Sequence, residues 1–265
     1  MKRILNFVPD GSSECSVVSW IHANSDDEKA LRPAIIICPG GGYNNVSGRE
    51  ADPVAHPYFT AGYNTFILFY SVGEKASNFA PLCQLANTVA HIRKHFRTLG
   101  IDPNKVVVCG FSAGGHLAAS LGILHDNPKF LEYYGSNDHI RPDAMILGYP
   151  VITSDEYAHE GSIKRVSGAT VGSDEYLWFG LDQHVDVQTP PAFIWHNVAD
   201  GLVPVENSLK LCGAFSKAKI PFELHVFPFC GHGWSVCTAE VDRPNEYAAR
   251  WVDWSIKWLN LQFYG

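Results

Sequence analysis

Two apolar patterns alternate along the chain. Short runs of β-branched or aromatic residues, most bounded by Pro or Gly, predict strands at Cys15–His22, Ala34–Cys38, Thr65–Tyr70, Lys105–Cys109, Ala144–Gly148, Ala192–His196 and Glu223–Pro228. Between them, longer stretches with helical spacing predict helices at Pro53–Ala61, Ala80–Leu99, Gly114–Leu124, Val205–Ala218 and Glu246–Leu261. The last presents Trp251, Trp254, Ile256, Trp258 and Leu261 as an apolar face. Ile35-Ile36-Ile37 and Val106-Val107-Val108 are continuous rather than alternating, as a parallel strand covered on both sides requires. The fold class that follows is α/β: a doubly wound, mostly parallel sheet with helices on both faces.

One segment breaks the rhythm. Residues Thr153–Val185 are polar, carry four glycines and end near Trp178-Phe179, which predicts a short cap-like insertion rather than a domain. With no repeat or linker in view, residues 1–265 read as a single domain. A chain of this length is expected to bury roughly 70–75% of its unfolded surface.

Composition narrows the function classes. Twenty basic and 27 acidic residues leave a net charge of −7 without a basic run, so a nucleic-acid groove is not expected. The basic pair Lys2-Arg3 is soon followed by Asp10 and Glu14, no leader-like apolar region follows, and no stretch is long enough to span a membrane. Seven cysteines, scattered without paired spacing, argue against disulfides and a zinc site. The expectation is a cytoplasmic protein without a metal, its oligomeric state open.

Candidate chemistry collects after the predicted strands. Gly110-Phe-Ser-Ala-Gly114 follows one strand and opens a helix, so Ser112 would sit on a strained turn with its hydroxyl above the sheet edge. Taken alone, a G-x-S-x-G pattern is a weak signal; the strand-turn-helix context strengthens it. Pro39-Gly-Gly-Gly-Tyr43 follows another strand and leaves backbone amides open. The N–H of Gly41 or Gly42, with that of Ala113, would hold an oxyanion. Asp200 and His232 each follow a later strand, in the order that lets an acid orient a base and the base activate a serine. His91 and His95 lack the glutamate of a zinc-protease helix and read as a solvated face. His116 is a candidate lining residue, while His196 and His225 read as packed.

On these residues the chain resembles the α/β-hydrolase superfamily over almost its whole length. More narrowly it is similar to small acetyl xylan esterase-like carbohydrate esterases. The matching stretches are Cys38–Tyr43 with Ser47-Gly-Arg-Glu50, Asn64–Tyr70, Gly110–His116, Thr189–His196, Asp200–Ser208 and His225–Gly233. The likeness implies Ser112, Asp200 and His232 as the triad and an ester substrate, often an acetylated sugar, with no cofactor. A serine peptidase of the prolyl-oligopeptidase type and a non-catalytic binding protein on the same fold are the alternatives. Tyr43, Trp178, Phe179 and Trp234 are expected to wall a short acyl pocket. The competing expectation is that Trp178 and Phe179 only pin the insertion to the domain.

Overall fold

The computed structural model describes residues 2–9, 15–22, 31–136 and 138–265; Asp10 and Glu14 lie outside them. Its strands are β1 (Lys2–Phe7), β2 (Ser16–His22), β3 (Arg32–Cys38), β4 (Asn64–Phe69), β5 (Ile101–Phe111), β6 (Ala144–Gly148), β7 (Ala192–Asn197) and β8 (Phe222–Phe227). They form one sheet in the order β1-β2-β4-β3-β5-β6-β7-β8. β1 and β2, and β2 and β4, run antiparallel, and every pair from β4 to β8 is parallel. The sheet is therefore mostly parallel, as the sequence pattern predicts.

The helices are α1 (Asp52–Thr60), α2 (Ala80–Lys94), α3 (Phe96–Leu99), α4 (Ala113–Leu124), α5 (Pro128–Tyr134), α6 (Glu160–Ser167), α7 (Asp174–Trp178), α8 (Glu206–Ala218) and α9 (Arg250–Tyr264). They cover both faces. Ala34, Ile36, Val106 and Val108 point to a core shared with α2, α4 and α8. Ile35, Ile37, Val107 and Cys109 point to the other, shared with α1 and α9. Alternation between two buried faces is why the isoleucine and valine runs carry no polar partner positions.

Several boundaries differ from the sequence expectation. β1 carries no strong pattern of its own and is held as an edge strand by antiparallel pairing with β2. Strand β5 extends well beyond Lys105–Cys109 at both ends. The helix predicted over Ala80–Leu99 breaks at His95, which leaves helical geometry (φ −102°, ψ 20°), and ends on Gly100 in the left-handed region. The helix expected from Glu246 starts at Arg250, because the Asn245 side chain accepts the N–H groups of Tyr247 and Ala248 and holds a turn there. On α9, Trp251, Ser255, Trp258 and Leu259 are buried, whereas Leu261 is exposed. His91 is not a solvated face: it is partly buried and stacks on Phe7 at 4.4 Å.

Candidate active site

Four connections at the carboxyl ends of the parallel strands meet above the sheet. Ser112 joins β5 to α4 with φ 54° and ψ −121°, a conformation L-residues rarely hold. Surrounding contacts over-determine it. The Ser112 N–H donates to the Gly148 carbonyl at 3.1 Å, and its carbonyl accepts from Val151 at 3.1 Å. Gly114 lets the turn close: a Cβ there would lie 2.0 Å from the Cys38 carbonyl oxygen.

Ser112, His232 and Asp200, named from the sequence, are brought into one relay. His232 Nε2 stands 2.8 Å from Ser112 Oγ, and Nδ1 stands 2.6 Å from Asp200 Oδ2. With Nδ1–H donating to the carboxylate, Nε2 is left to accept the serine proton. The other carboxylate oxygen, Oδ1, accepts the N–H groups of Leu202 and Val203 at 3.0 and 2.9 Å. Burial alone would raise the Asp200 carboxyl, but hydrogen bonds from His196 and His232, the His232 charge and the Val203 amide hold it well below the usual carboxylate range. Asn197 on β7 donates to the Gly231 carbonyl at 2.9 Å and ties the acid loop to the histidine loop.

The glycine loop after β3 is ordered by its own amides. Gly41 accepts from Asn44 and Asn45 and has φ 129°; a Cβ there would meet the Asn45 carbonyl oxygen at 2.1 Å. The Gly40 N–H donates to Glu50 Oε2 at 2.7 Å. Among the described residues the N–H groups of Gly41 and Gly42 make no backbone hydrogen bond, and they lie beside Ser112 in the same pocket. Ala113 opens α4 directly after the serine, where helix N–H groups have no intrahelical acceptor.

The pocket holds about 350 Å³ and is lined by Gly41, Gly42, Asn45, Ser47, Arg49, Glu50, Ser112, His159, Leu202, His232 and Gly233. The four aromatic residues expected to wall it are elsewhere. Tyr43 is fully buried, its hydroxyl donating to His116 Nδ1 at 3.0 Å. Phe179 is buried and lies 5.7 Å from Phe79. Trp178 packs edge-on to Phe79 at 5.5 Å, with Lys129 over its ring. Trp234 packs on the α1/α9 side of the sheet. The expectation of an aromatic wall is therefore corrected, since each ring finds more apolar contact in a core than at a wet pocket. His116 also belongs to that core: Nε2 donates to the Phe179 carbonyl, and burial pushes it down to about 4, so it is neutral. His196 is buried between Ser208 and Val203, and His225 stacks on Trp254 at 4.6 Å, as packed residues do.

The BD-FAE family profile matches residues 21–215, well over half of the chain, including Ser112 and Asp200. The chain belongs to the BD-FAE family. Endo-1,4-beta-xylanase B of Butyrivibrio fibrisolvens is 37% identical to it over 229 residues, covering 83% of this chain and 35% of that protein. Acetylxylan esterase of Xylanibacter ruminicola is 28% identical over 245 residues, covering 89% of this chain and 47% of that protein. The chain thus spans less than half the length of these two relatives. Among solved structures, the acetyl ester-xyloside bifunctional hydrolase from Caldicellulosiruptor lactoaceticus superposes with a TM-score of 0.82 at 34% identity, covering 95% of this chain and 89% of that one. This BD-FAE member is an esterase-like α/β-hydrolase.

Several lining residues of this BD-FAE site have no role assigned from the sequence. Glu50 is buried against the glycine loop, and Arg49 sits beside Gly233. His159, from the insertion, hydrogen-bonds Ser162 at 2.8 Å; burial lowers it, with His232 and Arg165 adding to the effect. Glu50 lies in the Ser47–Glu50 stretch that carries the resemblance, a signal that could have found it. His159 has no pattern around it that marks it. Among the described residues no group of three or more His, Cys, Asp or Glu side chains is arranged to hold a metal ion, and no helix is long and apolar enough to cross a membrane.

Proposed function

We propose that this protein is a serine esterase that removes short acyl groups, acetyl above all, from sugars such as xylo-oligosaccharides. The relay of 2.8 and 2.6 Å hydrogen bonds opening into a small polar pocket carries this reading. Ser112 attacks the ester carbonyl while its proton passes to His232 Nε2. The carbonyl oxygen, now negative, accepts from Ala113 N–H and from Gly41 or Gly42 N–H. Collapse expels the sugar hydroxyl, protonated by His232, and leaves an acetyl-enzyme. A water, deprotonated by His232, then attacks that ester; the bond to Ser112 Oγ breaks, His232 returns its proton to that oxygen, and acetate is released.

Volume supports a short acyl chain. About 350 Å³ must hold the reacting ester and part of the leaving group, which leaves little room for a long tail. The names of the relatives, an acetylxylan esterase and an acetyl ester-xyloside hydrolase, support the same substrate class. The test is a comparison of acetyl and octanoyl esters with acetate release from acetylated xylo-oligosaccharides. Acetyl esters are expected to lead by at least about tenfold in kcat/KM. An octanoyl preference, or no acetate from the oligosaccharides, would overturn the assignment.

A further inference from the structure

We propose that Glu50 is a positioning residue of this site: with Tyr149 it ties the oxyanion loop to the histidine loop, and its negative charge favours the protonated His232 formed during the reaction. The inference rests on the serine-esterase reading and goes beyond the triad. Glu50 is 4% exposed. Its Oε2 accepts the Gly40 N–H at 2.7 Å and its Oε1 accepts the Tyr149 hydroxyl at 2.5 Å. Gly40 is wedged between this carboxylate and the nucleophile: a Cβ on it would lie 2.7 Å from Glu50 Oε2 and 3.0 Å from Ser112 Cβ.

Tyr149 carries the link onward. Its oxygen accepts the Ser235 N–H at 2.9 Å, three residues beyond His232, and its ring stands edge-on to the His232 ring at 5.0 Å. Ser235 is itself a junction, its hydroxyl donating to the Arg49 carbonyl at 2.6 Å and its carbonyl accepting from Trp251 Nε1 at 2.9 Å. The oxyanion loop, the turn Gly48–Glu50 and the histidine loop are therefore one hydrogen-bonded unit. A carboxylate receiving two donors is suited to its ionised form. Burial nevertheless raises the Glu50 carboxyl, an effect opposed by Tyr149, Gly40 and the charges of His232 and Arg49.

Other charged groups face His232 as well. Asp200 hydrogen-bonds it, with His196 behind that carboxylate; His159 approaches from the insertion, and Arg49 stands beside Gly233. Asp200 orients the ring at Nδ1. Glu50 lies across Gly40 from Ser112, where a fixed negative charge lowers the cost of the imidazolium without competing for Nδ1–H.

Glu50→Gln separates charge from scaffold. Its amide oxygen can still accept from Gly40, and its NH2 can donate to the Tyr149 oxygen, so the two loops stay linked without the charge, although the Tyr149 hydroxyl proton loses its acceptor. Against a small acetyl ester, kcat is expected to fall about tenfold with KM within about twofold, and the acid limb of kcat/KM to move about half a unit to lower pH. Glu50→Asp, which keeps the charge, returns the limb toward wild type. Movement of the limb supports the proposal; an unmoved limb overturns it, whatever happens to kcat and Tm, because a purely structural role changes those alone. Should Glu50→Gln fail to fold, Tyr149→Phe reads the link: a several-fold fall in kcat at unchanged KM supports it, and wild-type kcat overturns it. Fluorophosphonate labelling of wild-type Ser112 is run alongside. Failure to label overturns the hydrolase reading, whereas an unmoved limb in a labelled enzyme overturns only the role of Glu50.

Discussion

The pocket around Ser112 and the aromatic layer beneath the insertion lie close together and are built on opposite rules. In the pocket, backbone amides, Asn45, Arg49, Glu50, His159 and Leu202 make the walls. In the layer, Phe79, Phe130, Trp178 and Phe179 pack ring against ring at 5.1–5.7 Å, and His116 beside them has both nitrogens in hydrogen bonds. The layer anchors Trp178 and Phe179 at the end of α7. Rings make a rigid support; glycines and short polar groups leave a surface that a small molecule can approach closely.

This contrast predicts that the two regions fail differently. The largest effect belongs to the relay: Ser112→Ala or His232→Ala is expected to lower kcat by about 10⁶-fold with Tm nearly unchanged, measured by steady-state kinetics and calorimetry. Asp200→Asn comes next, at about 10⁴-fold, and it also has a signature in stability. The folded carboxyl titrates below its unfolded counterpart, so its stabilising contribution is complete above about pH 4 and is lost as the pH falls through the lowered value. Acid denaturation of Asp200→Asn should therefore show a shallower loss of stability in that window than wild type. A substitution in the aromatic layer has the smallest effect on chemistry. Phe179→Ala is expected to cost about 3–5 kcal/mol in urea unfolding while the acetyl-to-octanoyl ratio stays within about twofold. A ratio that collapsed would return Phe179 to the pocket wall and erase the contrast.

Much of this was legible because the chemistry follows strand ends. Ser112, Asp200 and His232 each come after an apolar run, close to glycines that mark a turn, so local pattern and chain order locate them together. Glu50 is different. Its partners are Gly40, ten residues away, and Tyr149, 99 residues away, and only the folded sheet brings them together. His159 sits in a polar insertion without periodicity. Tyr43, Trp178, Phe179 and Trp234 misled for a physical reason: an aromatic residue near a site in sequence still gains most by packing against a core, and none of these rings lines the pocket. The break at His95 and the edge strand β1 were missed because periodicity continues through the first and is weak in the second.

The relay also has a kinetic meaning. Ser112 and His232 are 120 residues apart, and their 2.8 Å contact requires the parallel strands β5 to β8 to be paired in register. Helices α2 and α4 can form from local interactions, whereas that contact must wait for closure of the long crossover connections. If the relay acts as proposed, catalytic competence emerges at the end of folding, and a nascent or partly assembled chain, however helical, is expected to stay chemically silent until its last strands dock.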